Sequence, residues 1–241
     1  LKYSSLKITG MKAKFIFETR SSDKDYNQIE RMLNKAINID RNFVAPHLLF
    51  GNYYLARNNF NDSLKFFELA LDISLKNKNK INIAKSLNSI GRIYHLNGKF
   101  EKAFEYYKNA MQIWDKMNHH LGKADTLNLI GAIHDYNGRQ KEALKFYMNS
   151  YNSYNTVNDK AGLCKTSFNI ANVYCTMGAL EDSLKYQEIS FTLSQKTNNS
   201  MLLANNYNLR GVLYSNSHRY QEAYELFKKV LKIKKELNDE E

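Results

Sequence analysis

Nine of the ten glycines in this 241-residue chain occupy only three positions of one repeating unit. Gly51, Gly91, Gly131 and Gly211 stand on a ladder of period 40, with Ala171 on the remaining rung. Gly98, Gly138 and Gly178 form a second ladder of the same period, and Gly122 and Gly162 a third; Gly10 alone lies outside. A fixed period of this length restricts the chain to stacked units that bury their apolar faces against their neighbours. Binding in such an array falls on exposed surfaces rather than in an enclosed pocket.

The units start at residues 44, 84, 124, 164 and 204. Position eight is then Gly51, Gly91, Gly131, Ala171 and Gly211, and position seven is Phe50, Ile90, Ile130, Ile170 and Arg210. Position eleven is Tyr54, Tyr94, His134, Tyr174 and Tyr214. Position twenty is Ser63, Ala103, Ala143, Ser183 and Ala223, and position twenty-four is Phe67, Tyr107, Tyr147, Gln187 and Phe227. Spacings of three and four place positions seven, eight and eleven on one helix face, and twenty, twenty-four and twenty-seven on another. Small residues at eight and twenty let two helices approach closely, with aromatic rings filling the space beside them. Asn97-Gly98, Asn137-Gly138 and Met177-Gly178 fall between the two helices, where a glycine at positive φ ends the first.

This pattern of a large residue, a glycine, a tyrosine and Ala-x3-Phe resembles the tetratricopeptide repeat, over five units that cover most of the chain. Two departures stand out: the late proline of that family is absent, and the unit is 40 residues long rather than 34. The six additional residues are expected to lengthen both helices rather than open a loop. The resemblance implies an all-α fold, a right-handed superhelical solenoid of about six antiparallel helix pairs forming a single array over 1–241. A degenerate pair is expected at about 10–43, followed by 44–83, 84–123, 124–163, 164–203 and 204–241. Within the first pair, a weakly patterned helix is expected over 11–20, with Ser21-Ser22-Asp23 as turn and N-cap.

Composition narrows the function classes. No stretch approaches the run of about 20 apolar residues that spans a membrane. The chain opens Leu1-Lys2-Tyr3-Ser4-Ser5, with neither an initiator Met nor an apolar leader, and is read as a piece of a longer protein or a processed one, in the cytoplasm, the periplasm being the alternative. A net charge of +11 is compatible with polyanionic partners, but the lysines are spread through every repeat as on a solvated outer face. Cys164 and Cys175 are 11 residues apart on one expected helix, too far apart to pair. There is no phosphate loop, dinucleotide fingerprint, His-Glu-x-x-His or Cys-x-x-Cys, so neither cofactor nor metal is expected. His134 reads as a packed substitute for tyrosine, His119-His120 as an exposed turn, and Trp114 as packing against the next repeat.

In the family that these repeats resemble, ligand contacts come from positions two, five, nine and twelve of the first helices. Carried over, position two supplies Lys85, Asp125, Lys165 and Asn205; position five supplies Asn88, Asn128, Phe168 and Asn208. Position nine supplies Asn52, Arg92 and Asn172, and position twelve His95 and Asp135. Asparagine is a mediocre helix former, so its recurrence here invites a reason. An amide offers donors and an acceptor, and can clamp an extended peptide backbone without demanding one sequence. The expectation is a non-enzymatic module that binds a peptide or protein segment, as the regulatory part of a bacterial signalling protein. Alternatives are nucleic acid or another polyanion on the basic surface, and a scaffold or homo-oligomer formed through the apolar last helix. If the array holds an unusual pocket, the rung with Ala171 and Phe168 is where it is expected.

Overall fold

The computed structural model describes the backbone of residues 23–196 and 200–239 and the side chains of residues 27–196 and 200–236. The expected first helix over 11–20 and its Ser21-Ser22 turn lie outside them. Eleven helices and no strand occur among the described residues. They are α1 (Asp23–Ile39), α2 (Val44–Ala56), α3 (Phe60–Lys76), α4 (Lys80–Leu96), α5 (Phe100–Lys116) and α6 (His120–Tyr136). There follow α7 (Gln140–Thr156), α8 (Lys160–Thr176), α9 (Leu180–Ser194), α10 (Ser200–Asn216) and α11 (Tyr220–Asp239).

The 40-residue unit is two equal halves. From Phe60 onward a helix starts every 20 residues, and most of these helices are 17 residues long. The additional length is thus in the helices, as the sequence predicts. Residues with positive φ recur at Asn58, Lys78, Gly98, Asn118, Gly138, Asn158, Gly178 and His218. At each, two backbone bonds close a Schellman turn: for example, Gly98 N donates to the His95 carbonyl at 2.9 Å and Lys99 N to the Tyr94 carbonyl at 2.8 Å. The glycine ladder 98, 138 and 178 marks turns inside a repeat, with φ of 70, 70 and 74°.

The described turns between repeats use a second device, shared with the Asn58-Asn59 turn inside the first repeat. Their left-handed residue carries a side chain, and the residue after it caps the next helix. Asn79 accepts from Asn82 N at 3.1 Å, Asp159 from Ala161 N and Gly162 N at 3.0 Å, and His119 Nδ1 from Gly122 N at 2.9 Å. His119 also packs on Trp114, ring centroids 4.8 Å apart, so it is half-buried rather than an exposed turn residue.

The other two glycine ladders are seats for rings. A Cβ on Gly51, Gly91, Gly131 or Gly211 would stand 2.3, 2.5, 2.7 or 2.7 Å from Phe67, Tyr107, Tyr147 or Phe227. One on Gly122 or Gly162 would stand 2.4 or 2.2 Å from Trp114 or Tyr154. Where the ring is missing, the glycine is missing too. Gln187 replaces the ring where Ala171 replaces glycine, and Ser74 and Ser194 stand where Asn82 and Leu202 replace the third ladder.

The molecule divides into two compact units, Leu1–Gly122 and Lys123–Glu241. In the first, α2 pairs with α3 and α4 with α5, and α4 packs back on α3. In the second, α8 pairs with α9 and α10 with α11, with α8 on α7 and α10 on α9. A stacked ring pair joins the helices within a repeat: Tyr54 on Phe66 at 5.5 Å, Tyr94 on Tyr106 at 5.4 Å and Tyr174 on Tyr186 at 5.9 Å. His134 stacks on Phe146 at 5.0 Å, taking the tyrosine place as expected. Trp114, 1% exposed, packs with Ala84 and Ala110 and against Gly122. The last helix leaves Tyr220, Tyr224 and Leu231 exposed. Cys164 and Cys175 share α8 and are free thiols.

Candidate functional site

In the first unit, position nine of two successive first helices comes together. Asn52 of α2 and Arg92 of α4 line an open cleft of about 350 Å³. Leu55, Ala56, Asn58, Phe60 and Leu96 complete its walls. Arg92 is exposed and forms no ion pair with a described residue. Lys85 is exposed on the same helix. Asn88 is 8% exposed. His95 is half-buried, edge-on to Phe100 at 5.7 Å; burial, then the Arg92 charge, pushes its pKa below the usual histidine range.

The wall residues Ala56, Asn58, Phe60 and Leu96 escape a reading confined to the four positions of the first helix. They stand at its end and in the turn beyond it. One signal is visible in the sequence: Asn58 occupies the place held by glycine in three other repeats.

In the second unit the predicted residues divide between packing and surface. Asn128, 2% exposed, accepts from Thr166 Oγ1 at 3.2 Å and Asn169 Nδ2 at 3.1 Å. Thr166 lies 3.5 Å from Ser150 Oγ, which donates to the Ala124 carbonyl at 2.8 Å. Asn128 therefore ties α6 to α8, with its oxygen used internally. Phe168 packs with Ala171, Leu209 and Leu213. Asp125 is exposed, and its carboxylate accepts from the Tyr154 hydroxyl. Asp135 is half-buried, and burial raises its pKa. Lys165, Asn172, Asn205 and Asn208 are exposed.

A buried polar cluster stands beside the Ala171 rung. Gln187 Nε2 donates to the Asn206 carbonyl at 3.2 Å, and Arg210 Nε donates to Gln187 Oε1 at 2.8 Å. Arg210 also pairs with Glu188 and lies 3.9 Å from the centre of the Phe191 ring. Gln187 and Arg210 are satisfied within this cluster, whereas the buried Oδ1 of Asn206 has no partner. Among the described residues no group of three or more His, Cys, Asp or Glu is placed to hold a metal ion, and no helix is long and apolar enough to cross a membrane.

Paired helices on a 20-residue beat, rings seated on glycines and an exposed face along the first helices define a helical-repeat protein of the solenoid class. The chain belongs to the tetratricopeptide repeat family, whose model matches residues 43–116, 82–156 and 163–236. No curated protein matches it in sequence. Among solved structures it is similar to a Rap protein complexed with Competence and Sporulation Factor, with TM-score 0.74 and 12% identity over 98% of this chain and 77% of that one. It is also similar to NprR in complex with its cognate peptide NprX, with TM-score 0.71 and 15% identity over 98% and 67%. BtubC from P. vanneervenii aligns with TM-score 0.68 and 13% identity over 97% and 92%. At these identities the likeness is one of fold.

Proposed function

We propose that this chain is a non-enzymatic interaction module that binds a peptide or protein segment on the exposed side of its first helices, within a bacterial signalling protein. The observation that carries this reading is the cleft in which Asn52 and Arg92, the same position of consecutive repeats, meet beside apolar walls. An amide and a guanidinium on a partly apolar surface suit an extended chain, whose backbone offers carbonyls and amides and whose side chains alternate. The exposed amides of Asn172, Asn205 and Asn208 offer the same chemistry in the second unit. One protein of similar fold holds its cognate peptide in its solved complex and another is complexed with a Competence and Sporulation Factor, which supports the reading.

The test is selection from a random heptapeptide array followed by calorimetry on the retained peptides. Binding that weakens about tenfold in Asn52→Ala with Arg92→Ala, at unchanged helix content, is the expected outcome. These two are better probes than Asn88 and Asn128, which are buried and whose loss disturbs packing. Failure of every peptide to bind below about 1 mM refutes the reading.

A further inference from the structure

We propose that a second cleft of the first unit binds a free aromatic α-amino acid, with its ring against Tyr94 and Tyr106, its carboxylate on Lys102 and its ammonium on Glu105. This cleft, of about 330 Å³, is lined by Tyr94 of α4 and by Lys102, Glu105, Tyr106 and Asn109 of α5. The four α5 residues are three and four apart and form one stripe of that helix. None of the five stands at position two, five, nine or twelve of a first helix, so the site is separate from the peptide surface proposed above.

Three observations lead to it. The first is a pair of opposite charges that do not meet. Lys102 and Glu105 are exposed and lie one helical turn apart, roughly 4.5 Å along the axis. Lys102 Nζ lies 5.7 Å from the centre of the Tyr94 ring, and neither side chain forms an ion pair with a described residue. In the first repeat the corresponding Asp62 and Lys65 are bonded at 3.0 Å. The second observation is the order of these charges. Position nineteen is Asp62, Glu142, Asp182 and Glu222 in the other repeats, and lysine follows at position twenty-two in three of them. The second repeat reverses that order. Lys102 stands in the first turn of α5, where the helix dipole favours an acid, and acid before lysine is the better order for a helical pair. A reversal held against local preference at a cleft points to binding rather than to stability.

The third observation is a missing ring. In the second unit the equivalent pair, Tyr174 and Tyr186, is capped. Tyr151 meets Tyr186 edge-on at 6.0 Å, and the Tyr186 hydroxyl donates to Met148 Sδ at 3.4 Å. In the first unit Leu71 and Glu68 hold those two places, and the stacked pair of Tyr94 and Tyr106, 5.4 Å apart, opens onto the cleft. A ligand ring there repeats the contact that Tyr151 makes. Burial, and then the Tyr94 phenol beside it, raises the Tyr106 pKa, so its hydroxyl remains a donor at neutral pH. A free amino acid carries ring, carboxylate and ammonium around one Cα, whereas a residue at either end of a peptide carries only one of the two charges.

The experiment titrates the isotope-labelled protein with L-phenylalanine and follows backbone amide resonances. L-leucine removes the ring, 3-phenylpropionate the ammonium, 2-phenylethylamine the carboxylate and N-acetyl-L-phenylalanine amide both charges. L-phenylalanine is expected to shift Tyr94, Lys102, Tyr106 and Asn109 saturably, and each of the four controls to bind at least about tenfold more weakly. Lys102→Asp with Glu105→Lys, which copies the first repeat, is expected to abolish binding while raising the melting temperature by about 1–2 °C, a pairing that a purely structural reversal does not give. Equal binding of any control, or unchanged binding in the double variant, overturns the proposal. So does a cleft that stays silent at about 10 mM phenylalanine, or a response confined to Asn52, Arg92 and Leu96. Heptapeptide binding along the first helices is scored separately: its loss fails the interaction reading and leaves this site standing.

Discussion

In the unit that ends at Gly122, the second helix of a repeat meets the next first helix through carbon. Phe67, seated on Gly51, lies with Leu55, Ile90 and Ile93, and its neighbours Leu64 and Leu71 fill the edges. In the unit that begins at Lys123 the same contact is made twice, in two chemistries. Tyr147 repeats the carbon version with Ile170 and Val173. Gln187 makes a polar version, in which Arg210 stands where the other repeats have Phe or Ile. The difference teaches that three positions change together. Losing the ring at position twenty-four lets alanine replace glycine at eight and demands a hydrogen-bonding partner at seven of the next unit.

The sharpest way to break this comparison is to put a methyl group under a ring and to remove one where there is none. Gly162→Ala brings Cβ within 2.2 Å of the Tyr154 ring, which is 3% exposed and tied to Asp125. The ring has nowhere to move, and a loss of about 3 kcal/mol is expected by urea unfolding. Ala171→Gly removes a methyl from a site without a ring, so only the helix-propensity loss of about 1 kcal/mol is expected. Equal losses at the two positions break the ring-seat account. The pair Gly91→Ala with Tyr107→Gln, which copies the Ala171 rung into the first unit, is expected to cost less than the sum of its singles.

Next in size is the polar contact itself. Gln187→Ala leaves the Arg210 guanidinium, 15% exposed, without its buried acceptor, and about 2 kcal/mol is expected to go. Tyr107→Phe in the first unit is expected to be neutral or slightly stabilising, because the buried Tyr107 hydroxyl has no partner. A clear loss in Tyr107→Phe shows that the carbon interface hides a polar requirement.

The turns give a smaller, signed test. Lys78 holds φ 51° with a long side chain, so Lys78→Gly is expected to stabilise by about 1 kcal/mol. Gly98→Ala, at φ 70°, is expected to destabilise by a similar amount, about 1 kcal/mol, although nothing lies within 4 Å of its Cβ position. Thermal melts at one protein concentration check both.

The period, the helix pairs and the ring-and-glycine partners were legible in the sequence because each is a choice of residue size repeated at a fixed interval. The 20-residue beat was half hidden. Glycine marks only the turns within repeats, whereas Lys78, Asn118 and Asn158 take the same backbone conformation without it. The candidate site was legible to the level of helix face. Spacing places Asn88 and Asn128 on the outer stripe, but it carries no information on Thr166 and Asn169, which arrive from the next first helix to bury Asn128. The cleft walls escaped for the same reason: Asn58 and Leu96 meet only when two repeats stack.

The smallest expected effect separates the two units by pH. Burial lowers the pKa of His47 and His95 in the first unit and of His134 in the second. The unfolded chain then takes up protons first, near the ordinary value of 6.5, and the folded chain only at lower pH. Each such histidine leaves stability untouched above that value and reduces it as pH falls below. His47 shows the physical reason: Nε2 is engaged with the Arg41 carbonyl at 3.1 Å, while Nδ1 is buried without a partner for a second proton. Asp135 acts with the opposite sign. Burial raises its pKa, so the folded state protonates before the unfolded one, and acid relieves a strain that is present at neutral pH. The first unit therefore holds two acid-sensitive histidines, whereas the second holds one, next to a carboxyl group whose shift has the opposite sign. Amide exchange at pH 7 and pH 5.5, corrected for intrinsic rates, is expected to show greater loss of protection in α2 and α4 than in α8 and α10. Equal loss in the two units removes this distinction, and His95→Asn, which cannot take the proton, is expected to narrow it.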